Sequence, residues 1–134
     1  MGIQPFFPYY MSLLIHVECL NMTIKHTMID EGVATSVMSL SCWKGLGFPK
    51  LSQSATMLIA FDGRSFRPHG IIPSLEVQLR GKTIAIKVEV VDAPLEYNLL
   101  LGRNWMYSMQ AVSSSIFQVI FFPFNGNIFT IDKK

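Results

Sequence analysis

Two segments carry most of the information on the fold: TMIDEGVAT at residues 27–35, and YNLLLGRN about seventy positions later at residues 97–104. The first segment is an apolar strand pattern that ends in Asp30, Glu31 and Gly32. The second is a continuous apolar run that ends in Gly102, and such a run suits a strand buried on both faces. Taken alone, an Asp-x-Gly tripeptide is most often a solvated turn, so the pairing of the two segments carries the interpretation.

Hydrophobic patterning predicts one mostly-β domain of the closed-barrel type. The clearest period of two covers residues 75–90, interrupted by Gly81. The predicted strands are 15–18 and 22–29 as a hairpin, 33–39, 56–61 and 65–72 around an Asp62-Gly63 turn, 75–79, 84–90, 99–101, and a last hairpin of 116–122 and 127–131 around Asn125-Gly126. Short helices are predicted after a Ser39 or Ser41 cap and over 104–109.

These segments resemble the two halves of the active-site frame of retropepsin-like aspartic proteases. VMSLSCW at 37–43, AFDG at 60–63 and VVDAPLEYNLLLGR at 90–103 resemble, in order and spacing, the protease segment of plant gypsy-type long-terminal-repeat retrotransposon polyproteins. The resemblance covers residues 14–132 and implies a closed β-barrel with one or two short helices, after an apolar N-terminal extension at 1–13. It also implies half an active site per chain, and therefore a homodimer.

The resemblance implies a role for each residue that matches the protease motifs. Asp30 matches the catalytic aspartate. The other implied positions are Glu31, Gly32 and Val33 in the active-site loop, Phe61, Asp62, Gly63 and Arg64 in a substrate-covering flap, and Leu101, Gly102 and Arg103 as support under the loop. No metal or other cofactor is implied.

The implied chemistry is peptide hydrolysis by two facing carboxylates. At a separation of about 3 Å they cannot both ionise, so the pair shares one proton and can both activate water and protonate the scissile amide. Because each chain carries one such motif, the pair is Asp30 and its symmetry mate. The expected activity is that of an aspartic endopeptidase acting on extended peptide or polyprotein segments.

Two residues depart from the protease pattern. Glu31 stands where the proteases have Thr or Ser, whose hydroxyl donates across the two-fold axis, and an ionised Glu cannot donate. The arginine at the Arg103 position usually pairs with an acid where this chain has Ala34, so Arg103 must face solvent or find another acid, of which Glu31 is the nearest. A catalytically degenerate dimerisation or interaction module, and an adaptor resembling ubiquitin-shuttle proteins, therefore stay as alternatives.

Composition limits the remaining classes of function. The chain has 134 residues, of which 50% are hydrophobic and 15% charged, so it can bury a core but has little polar surface and is expected to hide apolar area in a partner. A scattered net charge of +2 does not favour nucleic-acid binding. Cys19 and Cys42 lack metal-ligand spacing and are expected to be free thiols. Residues 1–12 have no basic region, so we expect neither secretion nor membrane insertion. We therefore predict a cytoplasmic protein.

Overall fold

The computed structural model describes residues 12–52, 59–61, 64–66, 68–93, 95–114 and 116–132. Most of the predicted N-terminal extension, together with Asp62 and Gly63 of the predicted flap, lies outside these residues. The first described strand begins at Ser12, two residues before the predicted domain boundary at residue 14.

The described part of the chain is mostly β-structure, as the sequence predicts. The elements in chain order are β1 (Ser12–Cys19), β2 (Met22–Asp30), β3 (Ser36–Ser39), α1 (Leu40–Gly45), β4 (Ile59–Phe61), β5 (Arg64–Phe66), β6 (Pro68–Leu79), β7 (Lys82–Val91), β8 (Leu99–Leu101), α2 (Arg103–Met109), β9 (Val112–Ser114), β10 (Val119–Phe124) and β11 (Asn127–Asp132). Within this part, no helix is both long enough and apolar enough to cross a bilayer.

Six strands form a closed barrel in the order β1-β2-β8-β3-β7-β6. Strand β8 pairs with β2 in parallel, with Ile29 opposite Leu101, and β3 pairs with β7 in parallel. The barrel closes between β1 and β6 through one pair, Glu18 and Gln78. Strands β4 and β5 form a separate two-stranded hairpin, and β9, β10 and β11 form a three-stranded sheet.

The apolar run at 99–101 is buried on both faces, as predicted. Leu99 and Leu101 point into the main core of the barrel, which also holds Trp105 of α2. Leu100 points the other way, into a second buried cluster with Val37 and Val91. Strand β8 therefore separates two apolar layers, and this explains why its sequence shows no alternation.

The period of two at 75–90 is confirmed, with one exception. Leu75 and Val77 on β6, and Val88 and Val90 on β7, are buried in the main core. Glu89 has the position of an outward polar residue but is only 3% exposed. Val91, on the same face of β7 as Glu89, is buried in the second cluster, while Val90 faces the main core, so both faces of β7 are covered there.

Several predicted boundaries are wrong. Strand β3 begins at Ser36 rather than at residue 33, because the residues before it form the loop described below. The predicted strand at 116–122 is displaced: a turn covers 116–118, with Gln118 at a left-handed φ of 56°, and β10 follows it. Strand β9 was not predicted. Of the two candidate helix caps, Ser39 is the N-cap of α1, where its hydroxyl accepts from the Cys42 main-chain N–H at 3.1 Å.

Candidate active site

Asp30 is the last residue of β2 and its side chain is half-buried. The Gly32 main-chain N–H donates to Asp30 Oδ1 at 2.9 Å, and the Val33 N–H donates to the Asp30 carbonyl at 3.2 Å. An aspartate that accepts from the N–H two residues later closes a compact turn. The turn therefore fixes the direction of the carboxylate at the end of the strand.

The second sequence segment, residues 97–104, binds this loop through main-chain hydrogen bonds. The Arg103 main-chain N–H donates to the Val33 carbonyl at 2.7 Å, and the Asn104 N–H donates to the Ala34 carbonyl at 3.2 Å. These donors are first-turn amides of α2, which have no partner within the helix. The two segments are thus joined through their backbones, as the sequence interpretation requires.

Gly102 has to be a glycine because of its neighbours. A Cβ atom built on Gly102 would lie 2.5 Å from the Val33 carbonyl oxygen and 2.9 Å from that of Thr35. Both neighbours are backbone atoms of the loop and cannot move aside without displacing it. The absence of a side chain at Gly102 therefore lets the start of α2 approach the Asp30 loop closely.

A polar network around the buried Ser36 side chain stabilises the same junction. The Ser36 hydroxyl donates to Asn104 Oδ1 at 2.7 Å and accepts from the Gly102 N–H at 3.1 Å. Asn104 Nδ2 in turn donates to the Lys87 carbonyl at 2.9 Å. Sequence reasoning gave Ser36 and Asn104 no role, although a serine at the start of the buried run Val37-Met38 is the kind of signal that points to such a network.

Glu31 is contacted both by Arg103 and by Ser113. Arg103 does contact Glu31, but its Nη1 donates to the main-chain carbonyl, at 3.0 Å. The Glu31 carboxylate accepts from the Ser113 hydroxyl, at 2.8 Å to Oε1 and 2.9 Å to Oε2. Ser113 belongs to the serine run at 113–115, which carries no nucleophile signature, and sequence reasoning missed it.

The strands on each side of the predicted Asp62-Gly63 turn pair as a hairpin. Strands β4 and β5 are antiparallel, and Phe61 is paired with Arg64. Asp62 and Gly63 lie outside the described residues, so their implied contact with substrate stays a prediction.

Comparison with known proteins identifies the architecture. No family model and no curated protein sequence matches the chain. Among solved structures it is similar to the retroviral protease-like domain of Ddi1 from Leishmania major, at 16% identity and a TM-score of 0.69 over 92% of this chain and 96% of that one. The chain has the retropepsin-like fold.

Two further retropepsin-like structures agree. The EIAV protease complexed with the inhibitor HBY-793 is 17% identical, with a TM-score of 0.64 over 81% of this chain and 98% of that one. A retropepsin-like aspartic protease from Rickettsia conorii is 21% identical, with a TM-score of 0.55 over 78% of this chain and 84% of that one. At these identities the likeness establishes the fold.

A cavity of about 650 Å³ lies away from the Asp30 loop of this retropepsin-like barrel. Its lining includes Leu20, Leu51 and Ile72. Leu20 is at the turn between β1 and β2, at the opposite end of β2 from Asp30. We therefore place the candidate site on the loop after β2, where the chemistry-bearing residues meet, rather than in this cavity.

The cysteines do not form part of the site. Both are free thiols, as predicted, and burial raises the pKa of Cys19 to about 12 and that of Cys42 to about 11. Thiols with raised pKa values are poor nucleophiles and poor metal ligands at neutral pH. No group of three or more His, Cys, Asp or Glu side chains is arranged for a metal ion within the described residues.

Proposed function

We propose that the chain is an aspartic endopeptidase that acts as a homodimer, with Asp30 of each copy supplying one carboxylate of a shared dyad. The observation that carries this proposal is the Asp30 turn: a carboxylate at the end of a barrel strand, held by the Gly32 N–H at 2.9 Å. The loop is supported through Gly102 on a retropepsin-like barrel. One such carboxylate per chain supports a shared site.

The geometry suits water activation by a pre-positioned acid–base pair. Asp30 is tied at Oδ1 to its own loop, and the loop carbonyls are tied to α2, so little reorganisation is needed when water and substrate bind. In the dimer, one carboxylate takes a proton from water while its protonated mate donates one to the scissile amide nitrogen. The peptide bond is cleaved with no covalent enzyme intermediate.

The outer face of the β9–β10–β11 sheet supports association with a second copy. Strand pairing places Val112, Phe121 and Ile128 on one face, where they are 65%, 36% and 67% exposed. On the opposite face, Ile120 and Phe122 are fully buried against the barrel. An apolar sheet face of this kind favours a protein–protein contact over solvent.

The second apolar cluster supports extended apolar peptides as substrates. Met28 and Val33, on either side of the Asp30 turn, pack against its buried members Val37 and Leu100. Met28 and Val33 are themselves partly exposed, and a peptide crossing the Asp30 loop would meet these two apolar side chains. We further propose that the natural substrate is a retrotransposon polyprotein, on the strength of the three sequence phrases that resemble such proteases.

The proposal is tested by incubating the purified chain with a peptide library rich in bulky apolar pairs and sequencing the products by mass spectrometry. We expect cleavage that Asp30→Asn abolishes while dimer formation in sedimentation is retained. Asp92→Asn, at an exposed position, is the matched control and should cleave normally. An inhibitor that mimics the tetrahedral diol should bind once per dimer, and one site per monomer would refute the shared dyad.

The second candidate function is a catalytically degenerate interaction module. It is favoured by Glu31, which stands where the proteases that the sequence resembles have Thr or Ser. A dimer that forms through the sheet face but cleaves no library peptide at either mildly acidic or neutral pH would establish this candidate instead.

A further inference from the structure

Glu31 is held at both its main chain and its side chain. Arg103 Nη1 donates to its carbonyl at 3.0 Å, and the Ser113 hydroxyl reaches both oxygens of its carboxylate at 2.8 and 2.9 Å. A single hydroxyl proton shared between two carboxylate oxygens is a charge-assisted contact, which is shorter and stronger than a neutral one. The residue next to the catalytic candidate is therefore anchored to two separate parts of the same chain.

Ser113 is placed for this contact by the register of its sheet. On β9 it lies opposite Ile120 of β10, and Ile120 in turn lies opposite Ile131 of β11. Directly paired residues share a face, so Ser113 shares the buried face of the sheet with two core residues. A hydroxyl on that face needs a hydrogen-bond partner, and the Glu31 carboxylate is that partner.

The contact exchanges the usual chemistry of the loop. In the proteases that the sequence resembles, a hydroxyl at this position donates across the two-fold axis. Here position 31 carries an acceptor, and the donor, Ser113, lies on the C-terminal sheet of the same chain. The anchored residue lies between Asp30 and Gly32, whose N–H holds Asp30 Oδ1. Any rotation of the peptide units around Glu31 would move both the Asp30 carboxylate and the Gly32 N–H that orients it.

We propose that Glu31 is a positioning residue, which together with Ser113 fixes the Asp30 turn within a single chain. This inference rests on the proposed peptidase function for its kinetic consequences, though not for its structural ones. Glu31 is then a working alternative to the Thr or Ser of the proteases that the sequence resembles, and the C-terminal sheet is part of the machinery that orients Asp30.

Ser113→Ala is the direct test, because it removes one hydroxyl at little steric cost. We expect kcat to fall by about tenfold with KM changed less than about twofold, the pattern for an interaction that acts on the transition state. Ser113→Thr restores a donor and should keep most of the activity. Ser114→Ala is the matched control, since Ser114 is the next residue on β9 and points to the opposite face.

A double-mutant cycle tests whether Glu31 and Ser113 act through each other. Glu31→Ala should lower kcat at least as far as Ser113→Ala, and the double variant should be no worse than Glu31→Ala alone, because coupled residues are not additive. Losses that multiply in the double variant would overturn the inference.

Hydrogen exchange supplies a measurement that needs no catalysis. The amides of Gly32 and Val33 are bonded to Asp30, and we expect both to exchange faster in Ser113→Ala but not in Ser114→Ala. If the wild-type protein cleaves no peptide, the peptidase proposal fails while this result still decides the role of the contact. Unchanged exchange in Ser113→Ala would refute it.

Discussion

Ser36 and Asn104, 68 positions apart in the sequence, share a hydrogen bond of 2.7 Å that ties β3 to the start of α2. Because Asn104 Oδ1 also accepts from the Trp105 N–H at 2.9 Å and its Nδ2 donates to Lys87, one amide group serves three elements. The loop that carries Asp30 depends on this junction, since the same helix start binds the loop carbonyls.

Removing that amide should destabilise the fold. We expect Asn104→Ala to lower the free energy of unfolding by about 1–3 kcal/mol, because it leaves the buried Ser36 hydroxyl without its acceptor. Asn127→Ala is the control: Asn127 is exposed and its side chain makes a long bond of 3.4 Å, so its effect should stay within about 0.5 kcal/mol. Urea unfolding measures both, and equal effects would contradict the role assigned to Asn104.

Gly102→Ala should be damaging for steric reasons. Its added methyl group would meet the Val33 carbonyl oxygen at 2.5 Å, and relieving that overlap costs about 1–3 kcal/mol or displaces the loop. Gly45→Ala is a matched change at the end of α1, where an added Cβ meets nothing within 4 Å, and it should be neutral or stabilising. Thermal unfolding compares the pair, and a Gly102→Ala variant as stable as Gly45→Ala would show that the loop can yield.

Lys82 should control how firmly the C-terminal sheet is attached to the barrel. Its Nζ donates to the Met109 carbonyl at 2.7 Å and to the Pro123 carbonyl at 2.8 Å, so it joins β7 to the end of α2 and to β10. We expect Lys82→Met to lower the free energy of unfolding by about 2–3 kcal/mol, since hydrogen bonds to charged groups are stronger than those between neutral groups. Lys87→Met, at an exposed position on the same strand, serves as the control, and hydrogen exchange of β10 amides locates the change.

Alkaline pH should weaken the fold through Cys19. Burial raises its pKa from 9.0 to about 12, so the folded protein keeps a proton that the unfolded chain releases. The associated stability is complete below pH 9 and is lost as the pH rises from 9 towards 12. We expect the urea midpoint of Cys19→Ala to fall less steeply over this window than that of the wild type, and parallel curves would exclude the thiol as the cause.

The sequence predicts the barrel well where one rule decides the structure. Leu75, Val77, Val88 and Val90 follow strict alternation and are all buried, because each strand there has one face on the core. Asp30 lies at the end of β2 and Gly102 directly follows β8, as the apolar runs before them predict. Glu89 escapes the rule because its face of β7 is covered at that end by the second apolar cluster, whose members Val37 and Leu100 are distant in the sequence.

Contacts between distant residues could not be predicted in the same way. The residues around Ser113 give no sequence signal of its contact with Glu31. That contact depends on the register of β9 against β10. The strand predicted at 116–122 was misplaced because Ile116 and Phe117 are apolar yet 85% and 74% exposed, so hydrophobicity alone marked a turn as a strand. A strand as short as β9 gives too few residues for a periodic pattern.

The position of β8 between its parallel partner β2 and its antiparallel partner β3 also governs how the chain reaches its native state. Thr27 cannot pair with Leu99 until the intervening residues have been made, so during synthesis the β1–β2 hairpin leaves the ribosome without its neighbour. Long-range pairing of this kind slows folding and leaves apolar strand edges open in the meantime. We therefore expect the chain to fold slowly and chaperones to raise the yield of folded protein. A fragment that ends before residue 99 should aggregate rather than fold.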